Sequence, residues 1–142
     1  MFLLYEFLNP KHGPRLYFVN FLLIDFLNLV NNKLDITFAN EQEILSLIDA
    51  KNFDEVISFA KQLRKLIIIT RSSKGSIAIN KSEIVECDIQ KDLKIVDLTG
   101  AGDLFAAGFL HGHINNLSIK KSLEKGTEMS SKIIQKFGAR LT

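Results

Sequence analysis

An α/β fold around a mostly parallel sheet is the architecture this sequence predicts, and three observations carry it. The run Leu66-Ile-Ile-Ile-Thr70 is aliphatic throughout and too short for a helix between its breakers, as a central parallel strand covered on both faces would be. Upstream of it, a strand pattern and two helical patterns follow one another from Asp35 onward. Downstream, Ser76–Ile79 and Ile84–Cys87 flank Asn80-Lys-Ser82 as a hairpin, and two helical patterns close the chain.

The elements can be justified in order. The first thirty residues are rich in Phe and Leu without clean periodicity, and Asn9-Pro-Lys-His-Gly-Pro14 breaks any helix there. From Phe21 a helical pattern emerges through Leu22, Asp25, Phe26, Leu29 and Val30, and it stops at Asn31-Asn32-Lys33. Residues 35–39 read as a short buried strand ended by Asn40. Residues 41–48 read as a short amphipathic helix whose first-turn acids suit the helix dipole. A second helix over 54–63 puts Val56, Ile57, Phe59, Ala60 and Leu63 on one side, with Asp54 as its N-cap. Arg71-Ser-Ser-Lys-Gly75 is a polar turn after the central strand, and 93–96 read as a further short strand. The last helices span 102 to about 113 and 119 to about 137, the second stopped by Gly138.

Composition narrows the function classes. A chain of 142 residues is one domain's worth, and 46% hydrophobic with 24% charged residues is a globular balance, not a disordered one. The net charge of +2 is small. Its densest basic run, Lys120, Lys121, Lys125, Lys132 and Lys136, is interleaved with Glu124 and Glu128, which reads as a solvated helix face and not a nucleic-acid footprint. The single cysteine, Cys87, excludes an internal disulfide and lies in a strand pattern, so it reads as a buried structural thiol. Residues 1–9 lack the basic start of a signal peptide, and 18–30 are too short and too polar to span a membrane. Cytoplasmic placement, with no nucleic-acid or membrane partner, is the expectation. The pair His111 and His113 falls at a predicted helix C-terminus, where a solvated positive end is favoured over a metal site.

The chemistry concentrates in Asp97-Leu-Thr-Gly-Ala-Gly-Asp103, set directly before a small-residue apolar helix. It is not a Rossmann fingerprint, because the third glycine position is Phe105, and it is not a P-loop, because no lysine stands in the required place. Gly100, Ala101 and Gly102 let the backbone approach a ligand, and the first-turn N–H groups and the helix dipole favour an anion there. Asp103, at the helix start, is positioned to take a proton from a hydroxyl beside a phosphate. Ala106, Ala107 and Gly108 would let this helix pack closely on the sheet. A plain strand-to-helix turn with an acidic first turn is the other reading of the bare motif.

The stretch Val96-Asp-Leu-Thr-Gly-Ala-Gly-Asp-Leu-Phe-Ala-Ala-Gly-Phe109 resembles the second signature of the PfkB, or ribokinase-like, carbohydrate kinases, the adenosine-kinase-like branch above all. Three more segments resemble the family in order and spacing: Asp35-Ile-Thr-Phe-Ala-Asn-Glu-Gln-Glu43, Ile68-Ile-Thr-Arg-Ser-Ser-Lys-Gly75 and Ile133-Ile-Gln-Lys-Phe-Gly-Ala-Arg140. The resemblance implies an ATP-dependent transfer of the γ-phosphate to an alcohol group of a sugar or nucleoside. It implies Asp103 as catalytic base and the backbone of Gly100, Ala101 and Gly102 as the anion hole. It implies Asn40, Thr70, Ser72 and Gly75 beside the nucleotide, Glu43 on the water shell of Mg²⁺, and Asp97 and Thr99 at a monovalent-cation (K⁺) site. Ser72 departs from the family's Thr-x-Gly-x-x-Gly turn by replacing the first glycine, as it does in the adenosine-kinase-like branch.

The family's members are about twice as long, so the resemblance also implies an incomplete ribokinase-like fold, without the N-terminal half and its β lid. Residues 1–24 are then an atypical segment and 25–142 the C-terminal part of the kinase domain. Two readings follow: a functional kinase, by itself, as a homodimer or as the catalytic half completed by an N-terminal half on another polypeptide, or a non-catalytic remnant that holds nucleotide weakly or does not fold alone. Uncovered apolar faces are expected in either case.

Overall fold

The computed structural model describes residues 15–63 and 65–140, with side chains described from residue 23 onward. The elements are α1 (Arg15–Asn32), β1 (Ile36–Asn40), α2 (Glu41–Leu47), α3 (Phe53–Gln62), β2 (Leu66–Thr70), β3 (Ser76–Ile79), β4 (Ile84–Cys87), α4 (Ala101–Ile114) and α5 (Ile119–Ile133). The strands lie in one sheet in the order β1-β2-β3-β4. β1 and β2 are joined through α2 and α3, the crossover that parallel neighbours need, while β3 and β4 form a hairpin, so the sheet is mixed. The chain divides into two compact units, Met1–Ile69 with Ile79–Ile84 and Thr70–Ala78 with Val85–Thr142.

In the first unit, the aliphatic run behaves as its composition demands. Ile67, Ile68 and Ile69 are at most 1% exposed, and burying each stabilises the fold by roughly 1.5–3 kcal/mol. Val56, Ala60, Ile44 and Leu47 supply the buried faces of α3 and α2. The cap of α3 is Asn52 and not Asp54: the extended backbone at Asn52 lets its Oδ1 accept the Glu55 N–H at 3.1 Å, which leaves Asp54 inside the first turn. α1 begins at Arg15, ahead of the pattern that emerges at Phe21. Its described part is apolar on its open as well as its covered side, with Ile24 57% and Leu29 51% exposed and Val30 fully buried, so helical periodicity is blurred. The hairpin loop is organised by Asn80, whose Oδ1 accepts from the N–H groups of Ser82 and Glu83 and from the Ser82 hydroxyl.

In the second unit, α4 and α5 pack at unusually close range. A β-carbon on Gly108 would stand 2.5 Å from the Lys125 carbonyl oxygen, and one on Gly126 would stand 2.8 Å from that of Phe105. The small size of Gly108 therefore serves α5, whereas Ala107, expected to pack inward, is exposed. Phe105, Phe109, Leu123 and Ile133 fill the buried face of this pair. Of the basic run, Lys120, Lys121, Lys125 and Lys132 lie exposed on α5 and Lys136 lies beyond its end, and Lys125 and Lys132 both pair with Glu128.

Two boundaries in this unit differ from expectation for one shared reason. Residues 93–96 are not a strand: the Val96 and Asp97 N–H groups both donate to the Ile134 carbonyl, at 2.7 and 3.2 Å, instead of to a ladder. α5 correspondingly ends at Ile133, not near 137, and Gly138 takes its φ of +78° in the turn beyond. The end of one helix thus serves the segment that leads into the other.

Candidate active site

The Gly100–Asp103 stretch opens α4 with an uncommon cap. Gly100 occupies the N-cap with φ +77°, a left-handed conformation that a side chain resists, and no side chain caps this helix start. A β-carbon at Gly100 would also fall 2.9 Å from that of Ala139. The Ala101 N–H turns to the Leu98 carbonyl at 3.2 Å, and helical bonding starts with the Leu104 N–H on Gly100 at 3.0 Å. Between them, the Gly102 and Asp103 N–H groups have no acceptor among the described residues. Two backbone donors at a dipole's positive end, with an exposed carboxylate on the same turn, form a cradle for an anion next to a proton acceptor.

Asp97 and Thr99 stand just outside this cradle. Asp97 Oδ1 accepts the Thr99 N–H at 2.9 Å and its hydroxyl at 2.7 Å, while Oδ2 accepts the Gly138 N–H at 2.9 Å. These bonds, the Thr99 hydroxyl first, hold the Asp97 carboxyl below its ordinary value. Gly138 and Ala139 are thus parts of the site that periodicity did not reveal; their only sequence signal was the Gly-Ala-Arg140 ending.

The turn after β2 has its own logic. Thr70 ends the strand, and Ser72 to Lys74 form one 3₁₀ turn closed by Gly75 N–H to Ser72 O at 3.1 Å and Arg71 N–H to Gly75 O at 2.8 Å. Ser72 sits at φ +53°, so the serine keeps the left-handed backbone that a glycine would take there freely. Gly75 cannot be replaced so easily: with φ +82°, its β-carbon would lie 2.1 Å from the Cys87 carbonyl oxygen. Thr70, Ser72 and Gly75 share the second unit with Asp97–Asp103.

Asn40 and Glu43 belong to the first unit and form a capping box at the start of α2. The Glu43 N–H donates to Asn40 Oδ1 at 2.8 Å, and the Asn40 N–H donates to Glu43 Oε2 at 2.9 Å. The Asn-x-x-Glu spacing is itself the sequence signal of this cap. Among the described residues, Glu43 Oε1 and the Asn40 Nδ2 group have no hydrogen-bond partner and are left for others.

Elsewhere, Cys87 is 6% exposed, as its strand position implied. His111 and His113 are both exposed in the last turn of α4, His113 stacking on Phe109 at 5.8 Å. Large apolar side chains are open to solvent beside the site, with Ile95, Leu98 and Phe137 at 63%, 65% and 86%. Among the described residues no helix is long and apolar enough to cross a membrane.

Comparison with known proteins gives this geometry a family. The chain is 32% identical over 120 residues to a cytidine kinase of Thermococcus kodakarensis, an alignment covering 80% of the chain and 42% of the relative. It superposes on the adenosine kinase of Sinorhizobium meliloti with a TM-score of 0.81 and on a probable sugar kinase of Rhizobium etli with 0.82. Both are 34% identical, and each match covers 89% of this chain and 39% of the other. The chain therefore spans about two-fifths of the length of these relatives, and its fold is the corresponding part of a ribokinase-like one. The pfkB family carbohydrate kinase profile matches residues 18–142, and the chain belongs to that family.

Proposed function

We propose that this chain carries the phosphoryl-transfer machinery of an ATP-dependent kinase whose acceptor is the alcohol group of a nucleoside or sugar. The observation that carries the reading is the open start of α4: a left-handed Gly100, two N–H groups without acceptors, and Asp103 on the same turn. In the reaction, the acceptor oxygen bonds to the γ-phosphorus as the bond from that phosphorus to ADP breaks, and the hydroxyl proton passes to the Asp103 carboxylate. The Gly102 and Asp103 N–H groups meet the charge on the transferring phosphoryl oxygens. Thr70, Ser72 and Gly75 are assigned to the nucleotide's phosphates, and Asn40 with Glu43 to phosphate and metal.

The residues fit Mg²⁺ brought by the nucleotide. Mg²⁺ of this kind is held mainly by phosphate oxygens and water, with one or two carboxylates nearby. Glu43 Oε1 is the atom available to order such a water, since Oε2 is taken by the capping box. When bound, Mg²⁺ would neutralise phosphate charge. Asp97 and Thr99 would border a K⁺ beside the cradle, where the Asp97 carboxylate, accepting three hydrogen bonds, supplies negative charge. The names of the relatives, a cytidine kinase and an adenosine kinase, favour a nucleoside acceptor, with a sugar second.

The test is phosphoryl transfer from ATP with Mg²⁺ to a panel of nucleosides and sugars. Turnover that disappears in Asp103→Asn supports the reading; no turnover of any acceptor, alone or with a polypeptide carrying the family's N-terminal half, overturns it. A second reading is a chain that binds nucleotide without catalysing transfer. It requires ADP binding without transfer under every one of those conditions.

A further inference from the structure

Asp97 joins two pieces of chain that are distant in sequence. Its Oδ1 holds both the N–H and the hydroxyl of Thr99, in the loop entering α4, and its Oδ2 holds the Gly138 N–H, in the turn leaving α5. The same two pieces meet twice more. The Val96 and Asp97 N–H groups donate to Ile134 O, and Ala139 lies over Gly100 so closely that no β-carbon fits between them. Residues 88–98 carry no helix or strand, so regular structure does not fix the approach to Gly100.

We propose that Asp97 is a positioning residue whose carboxylate locks the Gly138–Ala139 turn onto the loop and thereby holds Gly100 in the backbone conformation that aims the Gly102 and Asp103 N–H groups. The chemistry explains why a carboxylate is required. An asparagine has one acceptor oxygen and would present an NH₂ donor to either the Gly138 N–H or the Thr99 donors, satisfying one side only. Thr99 contributes through its hydroxyl, so serine can replace it and valine cannot. The catalytic consequence rests on the kinase reading; the tether itself does not.

The experiment is hydrogen–deuterium exchange on the full chain, following residues 99–104 and 134–140, with titrations of ADP alone and of ADP with fluoroaluminate as a mimic of the transferring phosphoryl group. Asp97→Asn and Asp97→Ala are expected to raise exchange in both segments by about 10-fold, as loss of a local hydrogen bond does, while 105–133 stay protected. ADP affinity is expected to change less than about 2-fold and ADP–fluoroaluminate affinity to fall about 10-fold, because only the latter uses the aimed donors. Thr99→Ser retains wild-type values, and Thr99→Val shows the same pattern more weakly. If the Asp97 variants unfold, the Thr99 pair decides. Unchanged exchange at 99–104, or fluoroaluminate binding that does not follow it, overturns the proposal. A wild-type chain that binds neither ligand, alone or with a polypeptide carrying the family's N-terminal half, overturns the kinase reading instead, and exchange at 99–104 still decides the tether.

Discussion

Two helix starts in this chain carry residues assigned to phosphate chemistry, and they are built in opposite ways. α2 is closed: Asn40 and Glu43 cap it reciprocally, each side chain taking the other's backbone N–H. α4 is open: its N-cap is a left-handed glycine without a side chain, and the next free donors stay unpaired. A helix start that satisfies its own donors gains stability and loses capacity for an anion, whereas one that leaves them open keeps that capacity at the expense of local stability. The difference separates structural from chemical function along one chain. α2 presents leftover side-chain atoms, and α4 presents backbone.

The largest expected effect is at the open start. Asp103→Asn should lower phosphoryl transfer by about 10²–10⁴-fold, the usual worth of a positioned general base. Binding of ADP should be retained, because the carboxylate is exposed and caps nothing. Loss of ADP binding together with activity would mean that Asp103 supports the cradle and is not its proton acceptor. Next comes Gly100→Ala. A left-handed alanine is strained, and its methyl would meet Ala139, so a loss of about 1–3 kcal/mol is expected in thermal or denaturant unfolding. A neutral Gly100→Ala would show that the open geometry is incidental.

The closed start allows a sharper separation. Asn40→Ala removes the cap and should cost about 1 kcal/mol in unfolding free energy. Glu43→Gln keeps an acceptor for the Asn40 N–H, since glutamine also completes a capping box, and stability should stay within about 0.5 kcal/mol. If Glu43 also orders metal-bound water, that same variant should weaken the dependence of rate on Mg²⁺ while the unfolding curve barely moves. An equal loss in both measurements would reduce Glu43 to a capping residue.

The sequence made β2, the β3–β4 hairpin and the start of α5 legible because each is decided locally, by an unbroken aliphatic run, by Asn80 turn chemistry and by Ser118 as a cap. Gly100 was legible for the same reason, since left-handed backbone and close approach select its residue type. What was not legible depends on distant partners. Residues 93–96 have strand composition, yet their donors are claimed by Ile134, some forty residues on. Gly138 looked like a helix stop, but its N–H belongs to Asp97. The periodicity of α1 is blurred because, from residue 23 onward, apolar residues lie on its open as well as its covered side. The Asn40–Glu43 pair was seen for its family resemblance, while its plainer role as a capping box lay in the same four residues.

The smallest effect should come from a carboxylate on a helix that neither caps nor cradles. Glu128 pairs with Lys132 and Lys125 on the exposed face of α5, and these hydrogen bonds and charges lower its pKa from 4.5 to about 2. A carboxylate lowered in the folded state stabilises it above its unfolded pKa, and that contribution disappears as pH falls from about 4.5 through about 2. Exposure and salt screening keep it small. Glu128→Gln should therefore lower Tm at neutral pH and low salt by less than Asn40→Ala does, and the difference from wild type should vanish near pH 2 or in molar salt. If Glu128→Gln matched the cap variant at neutral pH, surface charge would weigh as much as a closed helix start. The contrast between α2 and α4 would then have to be drawn from electrostatics as well as from satisfied and open donors.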